Sequence, residues 1–167
     1  SAYNNGAFTV TGSHPPFGDI RSLTVGEGRF YNWDDQHEAR RVAFLGSDAA
    51  KQLFPGRDAV GANIYLNDFP YRVIGVMAKK KQDSSYDGWD VNKVFVPFGA
   101  MRRDFPDKPP GTPTTFDQLL VTPRSVPQHE ACKSEVRVAL ARMHHYDPTD
   151  KEACPIWDTV QEAQAFK

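Results

Sequence analysis

The sequence predicts an α+β domain in which a strand-rich middle is inserted between the elements of a βαβ lobe. Three observations carry this. Short apolar runs of strand length recur through the first two thirds, separated by Gly, Pro, Asn and Asp. Between two of these runs lies a two-residue turn signal, Asn67-Asp68, of the kind that joins antiparallel strands. In the last third the period changes, and a long helical pattern over residues 126–143 stands between strand-like runs at 116–121 and 154–157.

The elements follow in order. Phe8-Thr9-Val10-Thr11 alternates as a strand and is ended by Pro15 and Pro16. Residues 20–31, apolar with Gly26 and Gly28, give a short strand and a turn. Val42-Ala43-Phe44-Leu45 is a buried-strand run that stops at Gly46. A compact helix comes next, with Ser47 as the expected N-cap, because its hydroxyl oxygen accepts from the free amides of a first turn. Asp48 complements the helix dipole, Ala49, Ala50, Leu53 and Phe54 form the apolar side, and Pro55-Gly56 is the stop. Asn63-Ile64-Tyr65-Leu66 and the run from Tyr71 to Val76 flank the Asn67-Asp68 turn, with Pro70 where a strand tolerates a missing amide.

Residues 79–90 form a polar loop, Lys93-Val94-Phe95-Val96-Pro97 another strand, 101–105 one helical turn, and the Pro/Gly-rich 106–114 a connector. The long helix has Ser125 as its expected N-cap and Pro127 in its first turn. Cys132, Val136, Ala139, Leu140 and Met143 fall on one face at helical spacing. A further helix starts near Thr159. No low-complexity segment or obvious internal repeat stands out.

Composition narrows the function classes. Lys plus Arg total 20 against 21 Asp plus Glu, a net charge of −1, so no clustered cations await a nucleic acid. The most apolar stretch, residues 71–78, is far shorter than the roughly 20 residues of a membrane helix. No signal-peptide pattern opens the chain. It is therefore either cytosolic or a soluble piece of something larger.

No motif supplies a cofactor, a metal site or a catalytic group. Walker A, dinucleotide, HExxH and GxSxG patterns are missing, and Gly26-Glu27-Gly28 lacks the third glycine and the helix of a nucleotide loop. His144 and His145, with Asp147, suit a helix C-terminus better than one metal ion, because adjacent histidines point apart. The loop from Asp83 to Asp90 begins like a calcium loop, but its twelfth position is Val94 where a bidentate Glu belongs. Lys79-Lys80-Lys81 is a solvated strand edge, Asp34-Asp35 fits helix capping, and no serine has the context of a nucleophile.

The run from Val42 to Gly56, continued by Val60-Gly61, Ile64 to Asn67 and Phe69 to Val76, resembles the MacB-like periplasmic core domain of ABC transporter permeases of the FtsX/MacB type. Gly28-Arg29-Phe30 upstream and Val94-Phe95-Val96-Pro97 downstream fit the same pattern, as do His144, Asp147-Pro148 and Ile156 to Val160. The motif positions Gly28, Gly46, Ser47, Leu53, Phe54, Gly56, Gly61, Ile74, Gly75 and Pro97 are structural, at turns, close backbone approaches and core strands. The family pattern has an extra βαβ stretch ahead of Val10 to Pro16, where this sequence has a handful of residues.

The resemblance implies a porter-like lobe, about 1–21 and 113–167, carrying an inserted β-rich lobe at about 22–112. It implies a periplasmic, non-enzymatic domain of an inner-membrane protein, without cofactor, that couples ATP-driven motion to periplasmic events and docks partners in export or efflux. The implied partners are the chain's own transmembrane helices and FtsX-like permease region, a cytoplasmic ABC ATPase, a periplasmic adaptor with an outer-membrane channel, and a second copy in a dimer. An extracytoplasmic ligand-binding or sensing domain is the alternative, favoured by any buried aromatic pocket around Trp33, Trp89 or Trp157. A periplasmic location permits a disulfide between Cys132 and Cys154; two free thiols packed as small hydrophobes are the other arrangement.

Overall fold

The computed structural model describes residues 5–79, 88–106 and 116–161. The chain divides into two compact units, Ser1–Leu120 and Val121–Lys167. The first is built on a six-stranded mixed sheet of β1 (Thr9–Ser13), β2 (Val25–Gly28), β3 (Val42–Leu45), β4 (Asn63–Leu66), β5 (Phe69–Met77) and β6 (Lys93–Pro97). The order is β1-β6-β3-β5-β2, with β4 also paired to β5. The helices of this unit are α1 (Phe17–Ile20), α2 (Trp33–His37), α3 (Ser47–Leu53) and α4 (Phe98–Asp104).

Strands β3 and β6 are buried along their whole length, as continuous apolar runs must be when both faces of a sheet are covered. Their side chains alternate between two cores. Ala43, Leu45, Val94 and Val96 join Ala50, Tyr71, Val73 and Ala100 on one face. Val42, Phe44 and Phe95 join Leu23, Tyr31 and Met77 on the other. Helices α3 and α4 contribute to the first core, and Phe17 and Phe30 pack against the second.

The Asn67-Asp68 hairpin forms as the sequence predicts. Both residues have positive φ, 49° and 65°, the requirement of a two-residue turn whose twist matches the strands. Strand β1, from the segment read as porter-like, hydrogen-bonds in parallel to β6.

A repeat escapes the sequence reading. Strand β3 leads through Gly46 into α3 and ends at Phe54-Pro55; β6 leads into α4 and ends at Phe105-Pro106. The two capping phenylalanines have nearly the same backbone conformation, φ −128°, ψ 61° and φ −129°, ψ 64°. The strands run antiparallel with Phe44 opposite Phe95, and each has a parallel outer neighbour, β5 beside β3 and β1 beside β6. The centre of the sheet is thus pseudo-two-fold. Only the phenylalanines, one alanine pair and a proline are shared between the copies. What repeats is the apolar pattern rather than the residue identities.

Three expectations are corrected. Gly46, not Ser47, caps α3, and Ser47 is a buried first-turn residue. A Cβ at position 46 would stand 2.3 Å from the Val91 carbonyl oxygen, so tertiary packing demands glycine where the helix begins. Residues 116–121 and 154–157 form no strand, so the second unit has the helix of the expected βαβ without its strands. That helix opens with a 3-10 turn (Val126–Gln128) and continues as α5 (His129–His144). Its expected apolar face is only half-realised. Cys132, Val136 and Leu140 are half-buried, Ala139 and Met143 are exposed, and Ala141 is the buried position.

Candidate functional site

The first unit buries its charges in clamps. Asp104, at the end of α4, receives two hydrogen bonds from Arg41 (2.7 and 2.9 Å), two from Arg103 (2.8 and 3.1 Å) and one from the Tyr71 hydroxyl (2.7 Å). Asn67, in the hairpin turn, donates to the Asp104 carbonyl at 2.9 Å. The guanidiniums of Arg41 and then Arg103 hold the Asp104 carboxyl well below the usual carboxylate range, and burial together with this carboxylate pushes the Tyr71 phenol up.

Asp35 is the second clamp. It accepts from Arg29 (2.6 and 3.2 Å), from Arg40 (3.3 Å) and from the Asn32 amide (3.0 Å), closing a capping box at the start of α2. Burial opposes its charge, but these donors outweigh it and its carboxyl stays low. Asp90, buried, pairs with Arg21 at 2.9 Å and lies 3.8 Å from Lys93. On the opposite face the Ser13 and Tyr31 hydroxyls bond to each other in the interior. The Asp104 and Asp90 clamps join residues more than 60 positions apart, whereas the Asp35 clamp ties together a single local stretch. Their arrangement fixes the scaffold.

Two features face outward in this unit. A groove of about 580 Å³ lies between the ends of α3 and α4, floored by Phe8, Val10, Ile64 and Leu66 and flanked by Phe54 and Phe105. Arg57 stands at its rim. Elsewhere on the surface Trp33, half exposed, stacks on His37 (5.7 Å between ring centres) and leans on His14 (5.9 Å).

In the second unit, His129, Glu130 and Asp158 come together with Lys133. His129 Nε2 is 3.0 Å from Glu130 Oε1 and 3.7 Å from Asp158 Oδ2, and Lys133 Nζ is 2.9 and 2.7 Å from the same two oxygens. Among the described residues this is the group of histidine and carboxylates with donor atoms close enough to share a metal ion. The sequence reading missed it because Asp158 is remote in the chain, and a single histidine at a helix start carries no spacing signal.

The other expected sites are placed as follows. His144 is the last residue of α5, His145 takes the left-handed cap conformation (φ 59°), and Asp147 bonds to Thr149, so the three do not converge. Of the calcium-like loop, residues 83–87 lie outside the described residues; Asp90 points inward to Arg21, and Val94 is core. Trp33, Trp89 and Trp157 are each about half exposed, and none of them lines the groove. Cys132 and Cys154 are separate, half-buried thiols. Cys154 follows a turn instead of heading a strand beneath the helix, which removes the expected reason for the sulfurs to meet.

The motif glycines serve two ends, which Gly28 combines, with φ 69° and the Ile74 carbonyl oxygen 2.2 Å from where a Cβ would stand. Gly56 and Gly61 have positive φ (68° and 89°) in open space, whereas Gly46 and Gly75 are places where backbone approaches backbone. Leu53 and Phe54 pack on the first core, Ile74 on the second, and Gly28 pairs with Gly75 across β2 and β5. Pro97 ends β6, buried.

The family described as the MacB-like periplasmic core domain matches residues 1–139. A macrolide export ATP-binding/permease protein MacB of Azoarcus is 38% identical over 89 residues, covering 52% of this chain and 13% of its own. A pyoverdine export ATP-binding/permease protein PvdT of Pseudomonas aeruginosa is 32% identical over 91 residues, 54% of this chain and 14% of its own. The chain therefore spans about a seventh of these relatives.

Among solved structures, the extracellular domain of the noncanonical ABC-type transporter YknZ of Gram-positive bacteria aligns over 84% of this chain and 67% of its own, with TM-score 0.64 and 20% identity. The periplasmic region of MacB from Actinobacillus actinomycetemcomitans aligns over 64% of this chain and 47% of its own, with TM-score 0.52 and 22% identity. At these identities the two structures speak for the fold.

Proposed function

The chain belongs to the MacB-like periplasmic core domain family and is an extracytoplasmic α+β domain, and on that premise we propose that it is the mechanical-coupling and partner-docking part of an ABC permease working in export or efflux. The match over residues 1–139 carries the reading. In it, the chain's transmembrane helices and FtsX-like region hold the domain above a cytoplasmic ABC ATPase, and a periplasmic adaptor, an outer-membrane channel and a second copy are its docking partners. The porter-like lobe (about 1–21 and 113–167) and the β-rich lobe (about 22–112) are then joined through the β1–β6 ladder.

The clamps support this reading physically. A domain that passes motion from a membrane to a partner must not dissipate it in internal deformation. Buried carboxylates tied to several donors at once, within a close-packed sheet, resist such deformation. Nothing in the sequence supplies a nucleotide loop or an activated nucleophile, and the domain acts here without chemistry of its own.

Exposed loops on a rigid scaffold are the natural docking elements. The two best by sequence are 79–90 and 106–114, of which 80–87 and 107–114 lie outside the described residues. In the full permease, deleting or charge-reversing either loop is expected to lower transport and uncouple ATP hydrolysis while the domain stays folded.

The groove beside Phe54 and Phe105 favours a second reading, an extracytoplasmic ligand-binding domain, since its volume falls within the range of small-molecule sites. If both loops prove dispensable while Val10→Trp or Ile64→Trp in the groove abolishes transport, that second reading replaces the first.

A further inference from the structure

We propose that His129, Glu130 and Asp158 form a binding site for a divalent transition ion of the zinc class, for which the Lys133 ammonium is the built-in competitor. The inference is independent of the transport reading.

Geometry comes first. The nitrogen of His129 and one oxygen each of Glu130 and Asp158 all lie within 4.8 Å of one another. Around a tetrahedral ion with bonds of about 2.0–2.1 Å, neighbouring donor atoms stand roughly 3.3 Å apart. The observed separations from His129 Nε2, 3.0 and 3.7 Å, bracket that value. The two carboxylate oxygens lie within 4.8 Å of each other, so closing the site draws Glu130 and Asp158 together by side-chain rotation.

Two of the three donors are already aimed. His129 Nδ1 lies 2.8 Å from the Val126 carbonyl, which only accepts, so Nδ1 carries a hydrogen, and Nε2 is the nitrogen presented to the carboxylates and to an ion between them. A second ring nitrogen held by a backbone carbonyl is the usual support of a metal-bound histidine. Asp158 Oδ1 accepts from the amides of Val160 (3.1 Å) and Gln161 (3.0 Å), which leaves Oδ2 facing His129 and Lys133. Glu130, exposed and bonded to Lys133, completes the set.

Charge is the second argument. Two carboxylates and a neutral imidazole carry −2, which a divalent ion cancels. Lys133 Nζ, touching the same two oxygens, cancels half of it. The ammonium marks the point where the local potential draws a cation, and the side chain is long enough to swing into solvent when a doubly charged ion arrives. The nitrogen donor selects against calcium and magnesium, which require oxygen cages, and for zinc and its neighbours. A bound ion would tie the head of α5 to the turn at Asp158.

The test is titration of the full, tag-free 167-residue chain with Zn²⁺ by calorimetry and with Co²⁺ by visible absorption. One saturable site with tetrahedral Co²⁺ bands is expected. His129→Ala should weaken binding about tenfold or more. Lys133→Met should tighten it by about tenfold, because it removes the competitor. His144→Ala with His145→Ala should change nothing. Absence of saturable binding up to millimolar zinc, full binding in His129→Ala, or a Lys133→Met variant that binds no tighter would each overturn the proposal. Should His129→Ala fail to fold, the direction of the Lys133→Met change still decides.

Discussion

Asp104 concentrates the physics of the core in one side chain. It is buried, yet it stays ionised because Arg41, Arg103 and Tyr71 all donate to it. Removing one member of such a set strands the others, so Asp104→Ala is expected to lower the unfolding free energy by about 3 kcal/mol. The clamp also has a pH signature. The folded-state carboxyls of Asp104 and Asp35 lie below their unfolded values, so their contribution is complete above the ordinary carboxylate pKa and is lost as pH falls through the folded ones. Denaturant unfolding should give a stability that is level from pH 7 to about 5 and declines from roughly pH 4 downward. In Asp104→Asn that acid decline should be shallower; an unchanged one would mean that the clamp contributes nothing at neutral pH.

At the scale of elements, the β4–β5 hairpin and the β2–β5 crossing make opposite demands on the backbone. Asp68 sits in the left-handed region, which glycine enters freely, so Asp68→Gly should be neutral or stabilising by up to about 1 kcal/mol, and Asp68→Val destabilising by more than that. A Cβ at Gly75 would meet the Arg29 carbonyl oxygen at 2.3 Å, so Gly75→Ala is expected to cost about 3 kcal/mol, while Gly56→Ala, with open space around it, costs about 1 kcal/mol through φ alone. Thermal melts of the four variants decide the order.

The same elements show what was legible in sequence. Asn67-Asp68 announced the turn because its conformation is a local property of two residues. Ser47 misled because the cap was decided by the approach of the 90–91 backbone, which no local pattern encodes. Residues 154–157 look like a strand by composition but find no partner to pair with, and strand formation needs one. The apolar alternation of β3 and β6 was readable, whereas the Asp104 clamp, joining residues as far apart as Arg41 and Asp104, was not. The His129, Glu130 and Asp158 cluster escaped for the same reason.

For the molecule as a whole, the pseudo-two-fold centre at Phe44 and Phe95 is where the two halves of the sheet recognise each other. The rings lie 6.3 Å apart in one core. Phe44→Leu and Phe95→Leu should each destabilise by about 1–2 kcal/mol, and the double variant should fall short of their sum by about 0.5 kcal/mol or more, because each single change already loses the shared aromatic contact. Strict additivity would mean that the halves are coupled elsewhere.

The parallel pairing of β1 with β6 has a consequence for load. Traction backwards on Thr9 and forwards on Pro97 runs along the strand axis and strains every rung of the ladder, from Thr9–Lys93 to Ser13–Pro97, at the same moment. A hairpin pulled at its open end yields rung by rung, like a zip, whereas this seam must shear as a unit. The sheet therefore resists separation along the line between β1 and the chain that leaves β6, where all five rungs must give way together.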